Sequence, residues 1–255
     1  MIHNFLIAIT ILTWNTARMG MFAKPEHNKV LQYLSAQDAD IVCLQEVDVY
    51  KDSRYLTLGE VKRVMGKKYP YSYLDFSVYD KRHQFGTMVW SKYPLINKQS
   101  IHYANSTSNL SNMCDVVVGD DTIRLFNNHL ESYSFNSEDL EKIDLLRIKW
   151  ERALPLRNKQ AQVVRSAIEA SPYPVVVVGD FNSIALSFVY LYMTRGLVDA
   201  WRTVHPFSWG ATCEKRGFGL RIDYILSSPK LRPTACEVID AKGSDHKPVR
   251  ATLSW

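Results

Sequence analysis

Carboxylate, amide and imidazole side chains stand at the ends of short apolar runs at several places in this sequence. They are Asn15, Glu46, His129, Asp180, Asn182, Asp223, Asp245 and His246. Oxygen donors of this kind suit a hard divalent cation, and a histidine oriented by an aspartate can assist the chemistry beside it. Any one of these residues is more often solvated or structural, so the prediction of a metal site depends on the whole set. The chain has neither a Gly-rich phosphate loop nor a GxSxG nucleophile motif.

The apolar runs that must position these residues predict strands. They are short and rich in β-branched residues, as the strands of a sheet are. We place them at Ile7 to Trp14, Ile41 to Leu44, Thr87 to Trp90, Val116 to Val118, Ile123 to Phe126, Val175 to Val178, Tyr224 to Leu226 and Val249 to Leu253.

Between some of these strands lie segments whose apolar residues recur at helical spacing, which predicts helices. One helix is predicted to open at Pro25, and a second carries Val61 and Met65 on one face. A longer helix is predicted from about Ser137 towards Ala170, kinked or split at Pro155. Strands and helices do not alternate strictly, so the pattern predicts an α/β sandwich with sheets inside and helices outside.

The composition is that of a globular protein. Of 255 residues, 46% are hydrophobic, and 11 Gly and 10 Pro are too few for a disordered or linker-like chain. No linker-like segment divides the chain, which predicts a single domain over residues 1–255, with residues 1–8 as a remnant or tag before the first strand. The net charge of +5 permits a phosphate-bearing substrate. The four cysteines form no CxxC pair and are expected to be reduced thiols.

The N-terminal apolar run, Phe5 to Leu12, is too short to span a bilayer, which takes about 20 residues. It also lacks the basic region and the cleavage site of a signal peptide. We expect a cytoplasmic protein if this N-terminus is native, and a membrane-associated one if upstream transmembrane segments were removed.

Six motifs, in this order, make the chain resemble the endonuclease/exonuclease/phosphatase superfamily from about Thr10 to Trp255. The motifs are TWN at 13–15, LQEV at 44–47, NHLES at 128–132, GDFN at 179–182, RIDYIL at 221–226 and SDHKPV at 244–249. The resemblance implies a four-layered αββα sandwich, in which two mixed or antiparallel β-sheets are flanked by helices. It also implies hydrolysis of a phosphoester in a single step, by in-line attack of water with Mg²⁺ or Mn²⁺ as cofactor.

The resemblance also implies a metal site. Glu46 matches the metal-binding glutamate of the family, and Asn15 matches the amide beside that metal. Asp245 is expected to lie near the same ion.

Five further residues match the family's catalytic positions. Asp180 would orient or deprotonate the attacking water, and Asn182 would hold a phosphoryl oxygen. His246 would bond the phosphate, with Asp223 as its orienting partner. His129 matches a second histidine of the site.

The substrate is less specified by the sequence. We favour a nuclease or other phosphodiesterase acting on a phosphoester, with nucleic acid as the binding partner. A lipid phosphodiesterase of the sphingomyelinase kind, an inositol phosphatase and a tyrosyl-DNA phosphodiesterase 2-like enzyme remain alternatives. An inactive binding module is the least favoured, because all six motifs keep their polar residues. No protein partner is predicted, and the chain is expected to be a monomer.

Two segments are candidates for contact with the substrate. Phe207, Trp209 and Phe218 could stack on bases or rest against a membrane lipid, or they could simply cover the sandwich edge. Residues 50–68 are locally basic, which suits either phosphate contact or a solvated helix face.

Overall fold

Two six-stranded β-sheets form the centre of the computed structural model, which describes residues 7–104, 108–132, 143–215 and 218–255. The strands are β1 (Ala8–Asn15), β2 (Ile41–Tyr50), β3 (Tyr71–Tyr79), β4 (His83–Ser91), β5 (Leu95–His102), β6 (Leu110–Val118), β7 (Asp121–His129), β8 (Val175–Asp180), β9 (Val198–Asp199), β10 (Cys213–Lys215), β11 (Phe218–Leu220), β12 (Asp223–Ser227), β13 (Arg232–Val238) and β14 (Val249–Ser254). The helices are α1 (Ala17–Gly20), α2 (Lys29–Ala36), α3 (Leu58–Met65), α4 (Ile143–Glu169), α5 (Phe188–Met193) and α6 (Ala200–Val204).

Both sheets are mixed. The first has the strand order β13-β14-β1-β2-β4-β3, and the second has the order β5-β6-β7-β8-β12-β9. Strands β1 and β2 are parallel, as are β7 and β8, whereas the other neighbours within the two sheets are antiparallel. Strands β10 and β11 form a separate hairpin.

Side-chain alternation along the strands explains the layers. Ile9 and Ile11 of β1 pack into a core that both sheets share, while Leu12 and Trp14 pack in a second core with α2 and α3. On the other sheet, the four valines of β8 alternate between the shared core and a third core built with α4 and α5. A strand that is buried on both faces has a continuous run of apolar residues, and β8 shows such a run. The predicted αββα sandwich is confirmed.

The eight predicted strands are all present. The helix prediction at Pro25 is wrong in its boundary, because Pro25–His27 form a separate 3₁₀ turn. Helix α2 begins at Lys29, where the Asn28 side chain accepts a hydrogen bond from the Leu31 N–H at 2.8 Å and so caps the first turn.

The long helix α4 continues through Pro155 as one element, so it is not split there. A proline removes one helical hydrogen bond, to the carbonyl four residues earlier, and Glu151 at that position is exposed to water. The predicted start of this helix at Ser137 lies outside the described residues.

The four cysteines are free and buried. Across the described ranges, no helix is both long and apolar enough to cross a membrane.

Candidate active site

The ends of four strands bring the predicted site residues to one edge of the sandwich. Asn15 ends β1, His129 ends β7 and Asp180 ends β8. Strand β12 runs antiparallel to β8, and its first residue, Asp223, is paired in register with Asp180. His246 lies in the loop that leads into β14, which starts opposite the end of β1. Residues that are far apart in sequence therefore meet because strand direction and register place them at the same edge.

Glu46 reaches the site through an irregularity in β2. The pairing of β2 with β4 shifts register between Leu44 and Val47, and Glu46 has a φ of 49°. A bulge of this kind re-aims a side chain, and positive φ is uncommon for a residue with a Cβ. The Thr16 hydroxyl donates to the Glu46 carbonyl at 2.9 Å and holds this conformation. Strained backbone of this kind is characteristic of functional sites.

Asn15 joins two carboxylates. Its Nδ2 donates to Glu46 Oε1 at 3.1 Å and to Asp180 Oδ2 at 2.9 Å, while its Oδ1 accepts from the Ala17 N–H at 3.0 Å. The side chain is buried. In this arrangement Asn15 acts on the carboxylates through its N–H group, and its oxygen is engaged by the backbone.

Asp180 and Asn182 form a tight turn after β8. The Asn182 N–H donates to Asp180 Oδ1 at 2.7 Å, and Asn182 Nδ2 donates to Asp180 Oδ2 at 3.1 Å and to the Leu130 carbonyl at 2.9 Å. Asn182 has a φ of 47°, a value that Asn tolerates better than most residues. Both oxygens of Asp180 are thus held in place by N–H donors.

His129 lies beside Glu46, with Nε2 3.4 Å from Oε1. Burial works against the charged carboxylate, but the His129 imidazole, the Asn15 amide and the charge of His246 outweigh it and lower the pKa of Glu46 to about 2. Burial also works against the charged imidazole, but the Glu46 carboxylate and the Asp180 charge raise the pKa of His129 above its usual value. The two groups therefore stabilise each other as an ion pair.

His246 is oriented by Asp223. Its Nδ1–H donates to Asp223 Oδ2 at 2.9 Å, which leaves Nε2 directed towards Asp180, 3.9 Å from Oδ2. Burial opposes protonation of this imidazole, but the Asp223 and Asp180 carboxylates outweigh it and raise the pKa of His246 well above its usual value. The Thr212 hydroxyl donates to the same oxygen of Asp223 at 2.6 Å and accepts from the Asp223 N–H at 3.1 Å.

Hydrogen bonds to residues of β1 hold the loop that carries His246. Trp14 Nε1 donates to the His246 carbonyl at 2.8 Å, and the Ser244 hydroxyl donates to the Asn15 carbonyl at 2.7 Å while accepting from the His246 N–H at 3.0 Å. Trp14 and Ser244 belong to two of the recognised motifs, but their roles in holding this loop could not be predicted from the motifs. Thr212 lies outside all six motifs and carries no sequence signal.

A buried amide layer supports the site from within the sandwich. Gln45 Nε2 donates to Asn127 Oδ1 at 2.6 Å, and Asn127 Nδ2 donates to the Leu44 carbonyl at 3.2 Å. Asn128 Nδ2 donates to the Val178 carbonyl at 2.9 Å. The Gln45–Asn127 and Asn127–Leu44 hydrogen bonds tie the first sheet to the second, whereas the Asn128 bond joins β7 to β8 within the second sheet.

Asp245 belongs to a different group of possible ligands from Glu46. It is exposed, and it groups with Cys213 and His246 rather than with the other carboxylates. Phe207, Trp209 and Phe218 are also exposed, and Trp209 Nε1 donates to the Gly219 carbonyl at 2.9 Å.

Two groups of side chains among the described residues could hold an ion at the strand ends. One consists of Glu46, His129 and Asp180, and the other of Asp180, Asp223 and His246. In each group the potential ligand atoms lie within 4.8 Å of one another. Asp180 belongs to both groups and therefore lies at the centre of the site.

A four-layered sandwich with carboxylates and histidines at its strand ends has the architecture of the deoxyribonuclease I-like phosphoesterases. The chain matches the model of the Endonuclease/Exonuclease/phosphatase family over residues 12–246, and it belongs to this family of hydrolases that act on phosphoester bonds. An exodeoxyribonuclease of Bacillus subtilis (strain 168) is 26% identical over 279 residues, which cover 96% of this chain and 99% of the relative.

Solved structures share the fold. An endonuclease/exonuclease/phosphatase from Beutenbergia cavernae DSM 12333 superposes with a TM-score of 0.73 at 19% identity, covering 96% of this chain and 71% of that one. Truncated TDP2 from Caenorhabditis elegans superposes with a TM-score of 0.68 at 20% identity, covering 97% of each chain.

Proposed function

We infer that this protein is a divalent-metal-dependent phosphodiesterase that cleaves nucleic acid, with DNA as its substrate. The observation that carries the proposal is the position of the Asp180 carboxylate. It is held by amide donors of Asn15 and Asn182, with the Glu46 and His129 pair on one side and Nε2 of His246 on the other. The similarity to an exodeoxyribonuclease supports DNA over lipids and inositol phosphates.

The residues present fit a divalent cation. The Glu46 carboxylate is 26% exposed, so an ion bound there would keep water ligands, as Mg²⁺ does in proteins. His129 Nε2 is buried, makes no hydrogen bond among the described atoms and faces Glu46 Oε1 at 3.4 Å, so an ion added beside Glu46 would meet this imidazole. Glu46 would hold the ion, with Asp180 and His129 close to it. When bound, Mg²⁺ or Mn²⁺ would polarise a phosphoryl oxygen and neutralise charge on the leaving oxygen.

The chain's own groups can perform the remaining tasks. Asp180 would accept a hydrogen bond or a proton from the attacking water, since both of its oxygens are already oriented. His246, with its tautomer fixed by Asp223, would donate from Nε2 to a phosphoryl oxygen and stabilise charge that develops there. The Asn182 amide would make a similar contact after exchanging one of its present hydrogen bonds.

Hydrolysis of model substrates tests this function. Bis-p-nitrophenyl phosphate, p-nitrophenyl phosphate and a plasmid are incubated with Mg²⁺ or Mn²⁺, and again with EDTA. We expect cleavage of the diester and the plasmid that EDTA abolishes. Activity that survives EDTA would contradict the metal requirement, and activity on the monoester alone would point to a phosphatase.

Single substitutions test the roles. Asp180→Asn and His246→Ala should each lower the rate of diester hydrolysis by about 10²- to 10³-fold with the fold retained, because each removes a group aimed at the reacting centre. Asp38→Asn is the control, since it removes an exposed carboxylate that pairs with Lys92 at the surface. Near-normal rates in the Asp180 or the His246 variant would refute the assignment.

Metal binding can be followed without catalysis. Mg²⁺ should raise the thermal denaturation midpoint, because a ligand that binds only the folded state stabilises it. Glu46→Gln should abolish this rise, and a variant that keeps the full rise would exclude Glu46 as the ligand.

A further inference from the structure

Four aromatic side chains lie around the end of β2 that follows Glu46; Phe22 and Tyr79 are exposed, and Tyr50 and Tyr55 are half-buried. Phe22, Tyr50 and Tyr55 have ring centroids 5.3 to 5.4 Å apart in all three pairs, with interplanar angles between 39° and 64°. Tyr79 is 69% exposed, and the ammonium of Lys51, the residue after Tyr50, lies against its ring. We call Phe22, Tyr50, Tyr55 and Tyr79 the aromatic patch.

Phe22 shows that this exposure is built into the fold. Its ring is 56% exposed, and its backbone has a φ of 64°. A bulky residue rarely adopts a positive φ, because its Cβ is crowded by the backbone. Phe22 thus combines an unfavourable backbone conformation with a ring that is more than half exposed and packs against Tyr50 and Tyr55.

Cations lie against the rings of the patch. The Lys51 ammonium is 4.7 Å from the centroid of Tyr79, and the Arg54 guanidinium is 5.8 Å from that of Tyr55. Arg54 also pairs with the exposed Asp52 at 2.6 Å. Aromatic rings interleaved with exposed cations are the combination that binds single-stranded nucleic acids, because rings stack on bases while cations attract phosphates.

The patch is connected rigidly to the site. Tyr50 lies on β2 four residues after Glu46, a separation of about 13 Å along a strand. The segment from Asn15 to Phe22 is fixed over the same strand, because Arg18 Nε donates to the buried Asp48 Oδ2 at 2.9 Å and the Tyr50 hydroxyl contacts the same oxygen at 3.3 Å.

We propose that the aromatic patch binds unpaired bases of a single-stranded nucleic acid whose phosphodiester lies in the candidate active site. The proposal rests on the proposed function and narrows its substrate to a single strand or a single-stranded end. A strand is favoured over a lipid because one strand supplies both a base for the rings and a phosphodiester for the site about 13 Å away. Bases in an intact duplex are stacked on one another and cannot present a face to these rings.

Binding of a fluorescent oligonucleotide in EDTA tests the proposal without cleavage. Fluorescence anisotropy is measured with a 5′-labelled single-stranded 12-mer and with the corresponding blunt duplex. The parent should bind the single strand more tightly. Phe22→Ala and Tyr55→Ala should each weaken single-strand binding by about 5- to 150-fold, from the stacking contribution of one aromatic ring.

Two variants serve as controls for these substitutions. Phe188→Ala removes a ring with similar exposure, 50%, that also pairs with a neighbouring ring at 5.4 Å, but on α5 outside the patch. It should bind the single strand as the parent does. Tyr55→Phe keeps the ring and should retain binding, which separates stacking from a structural effect of the substitution. Far-UV circular dichroism checks that each variant is folded.

The salt dependence of binding tests the contribution of the Lys51 charge. Lys51→Gln should weaken binding and reduce the slope of log affinity against log salt concentration by about 0.7, the value for one phosphate contact on a single strand. An unchanged slope would remove Lys51 from the proposed surface.

The outcomes separate this proposal from the proposed function. Single-strand binding by Phe22→Ala and Tyr55→Ala that equals that of Phe188→Ala would overturn the aromatic patch as a base-binding site, whatever the hydrolysis results. Patch-dependent binding to vesicles of phosphatidylcholine and phosphatidylserine at 4:1, with oligonucleotide binding unaffected, would overturn it in favour of a lipid surface. Patch-dependent oligonucleotide binding with no hydrolysis of bis-p-nitrophenyl phosphate by the parent would refute the proposed function and leave the binding site in place.

Discussion

Gly179 offers the most direct test of how the fold positions the site. It precedes Asp180 on β8, has a φ of 121°, and is paired in register with Asn128 of β7. A Cβ at this position would lie 2.0 Å from the Asn128 carbonyl oxygen and 2.8 Å from the Asn128 nitrogen. Backbone atoms cannot rotate away as a side chain can, so Gly179→Ala must push the two parallel strands apart.

The expected cost has two parts. The backbone conformation is unfavourable for alanine by about 1 to 3 kcal/mol, and relief of the contact with Asn128 costs about 1 to 3 kcal/mol more. Gly179→Ala should therefore lower the free energy of unfolding by about 2 to 6 kcal/mol, a large part of the roughly 5 to 15 kcal/mol of a typical domain. Asp180 follows directly, so diester hydrolysis should fall by about 10²-fold if its carboxylate moves by about 1 Å.

Gly119→Ala is the matched control. Gly119 also has a positive φ, of 60°, but a Cβ there would meet no atom within 4 Å. It lies between β6 and β7, at the end of β7 opposite His129. This variant should lose only about 1 to 2 kcal/mol, from the left-handed conformation alone, and should keep its activity. Urea unfolding followed by tryptophan fluorescence measures both values, and equal destabilisation of the two variants would refute the argument from the Asn128 contact.

Three further predictions concern charge, burial and capping. In the metal-free protein, Glu46→Gln should lower the pKa of His129, because burial still disfavours the imidazolium while the carboxylate that favoured it is gone; an unchanged midpoint in an NMR titration would contradict the ion pair. Arg221→Met should cost about 3 to 5 kcal/mol in urea unfolding, since it leaves the buried Asp199 carboxylate without the guanidinium that pairs with its charge. A loss below about 1 kcal/mol would mean that the Tyr190 hydroxyl and the Arg202 N–H, which also donate to Asp199, suffice. Thr57→Ala should cost about 1 kcal/mol by removing the cap of α3, and identical unfolding midpoints for parent and variant would exclude a contribution from that cap.

The strands were readable from local sequence for a physical reason. The four valines of β8 are buried on both faces, and the alternation of Ile9, Ile11, Leu12 and Trp14 in β1 follows the pleat of a strand between two cores. Such patterns depend only on neighbours in sequence. Boundaries that depend on a single cap, such as Asn28 at the start of α2, were missed because Pro25 offered an equally good local signal.

The candidate site residues were selected because polar groups interrupt apolar runs, and the order of the motifs identified the family. The arrangement of these residues relative to one another could not be predicted from the sequence. The resemblance to the family associated Asn15 and Asp245 with the metal, whereas the structure engages the Asn15 oxygen with the Ala17 N–H and groups Asp245 with Cys213 and His246. Their roles as metal contacts stay predictions.

The sequence by itself determined eight of the fourteen strands among the described residues and the polar residues near their ends, and its motifs identified the family and its class of chemistry. Only the tertiary structure decided which atoms face one another: that Thr212 orients Asp223, that Glu46 turns on a bulge, and that Phe22 meets Tyr50 at the surface. The physical reason is that hydrophobic periodicity is a property of adjacent residues, whereas hydrogen bonds and ring contacts depend on distances of a few ångströms that strand register and loop packing set.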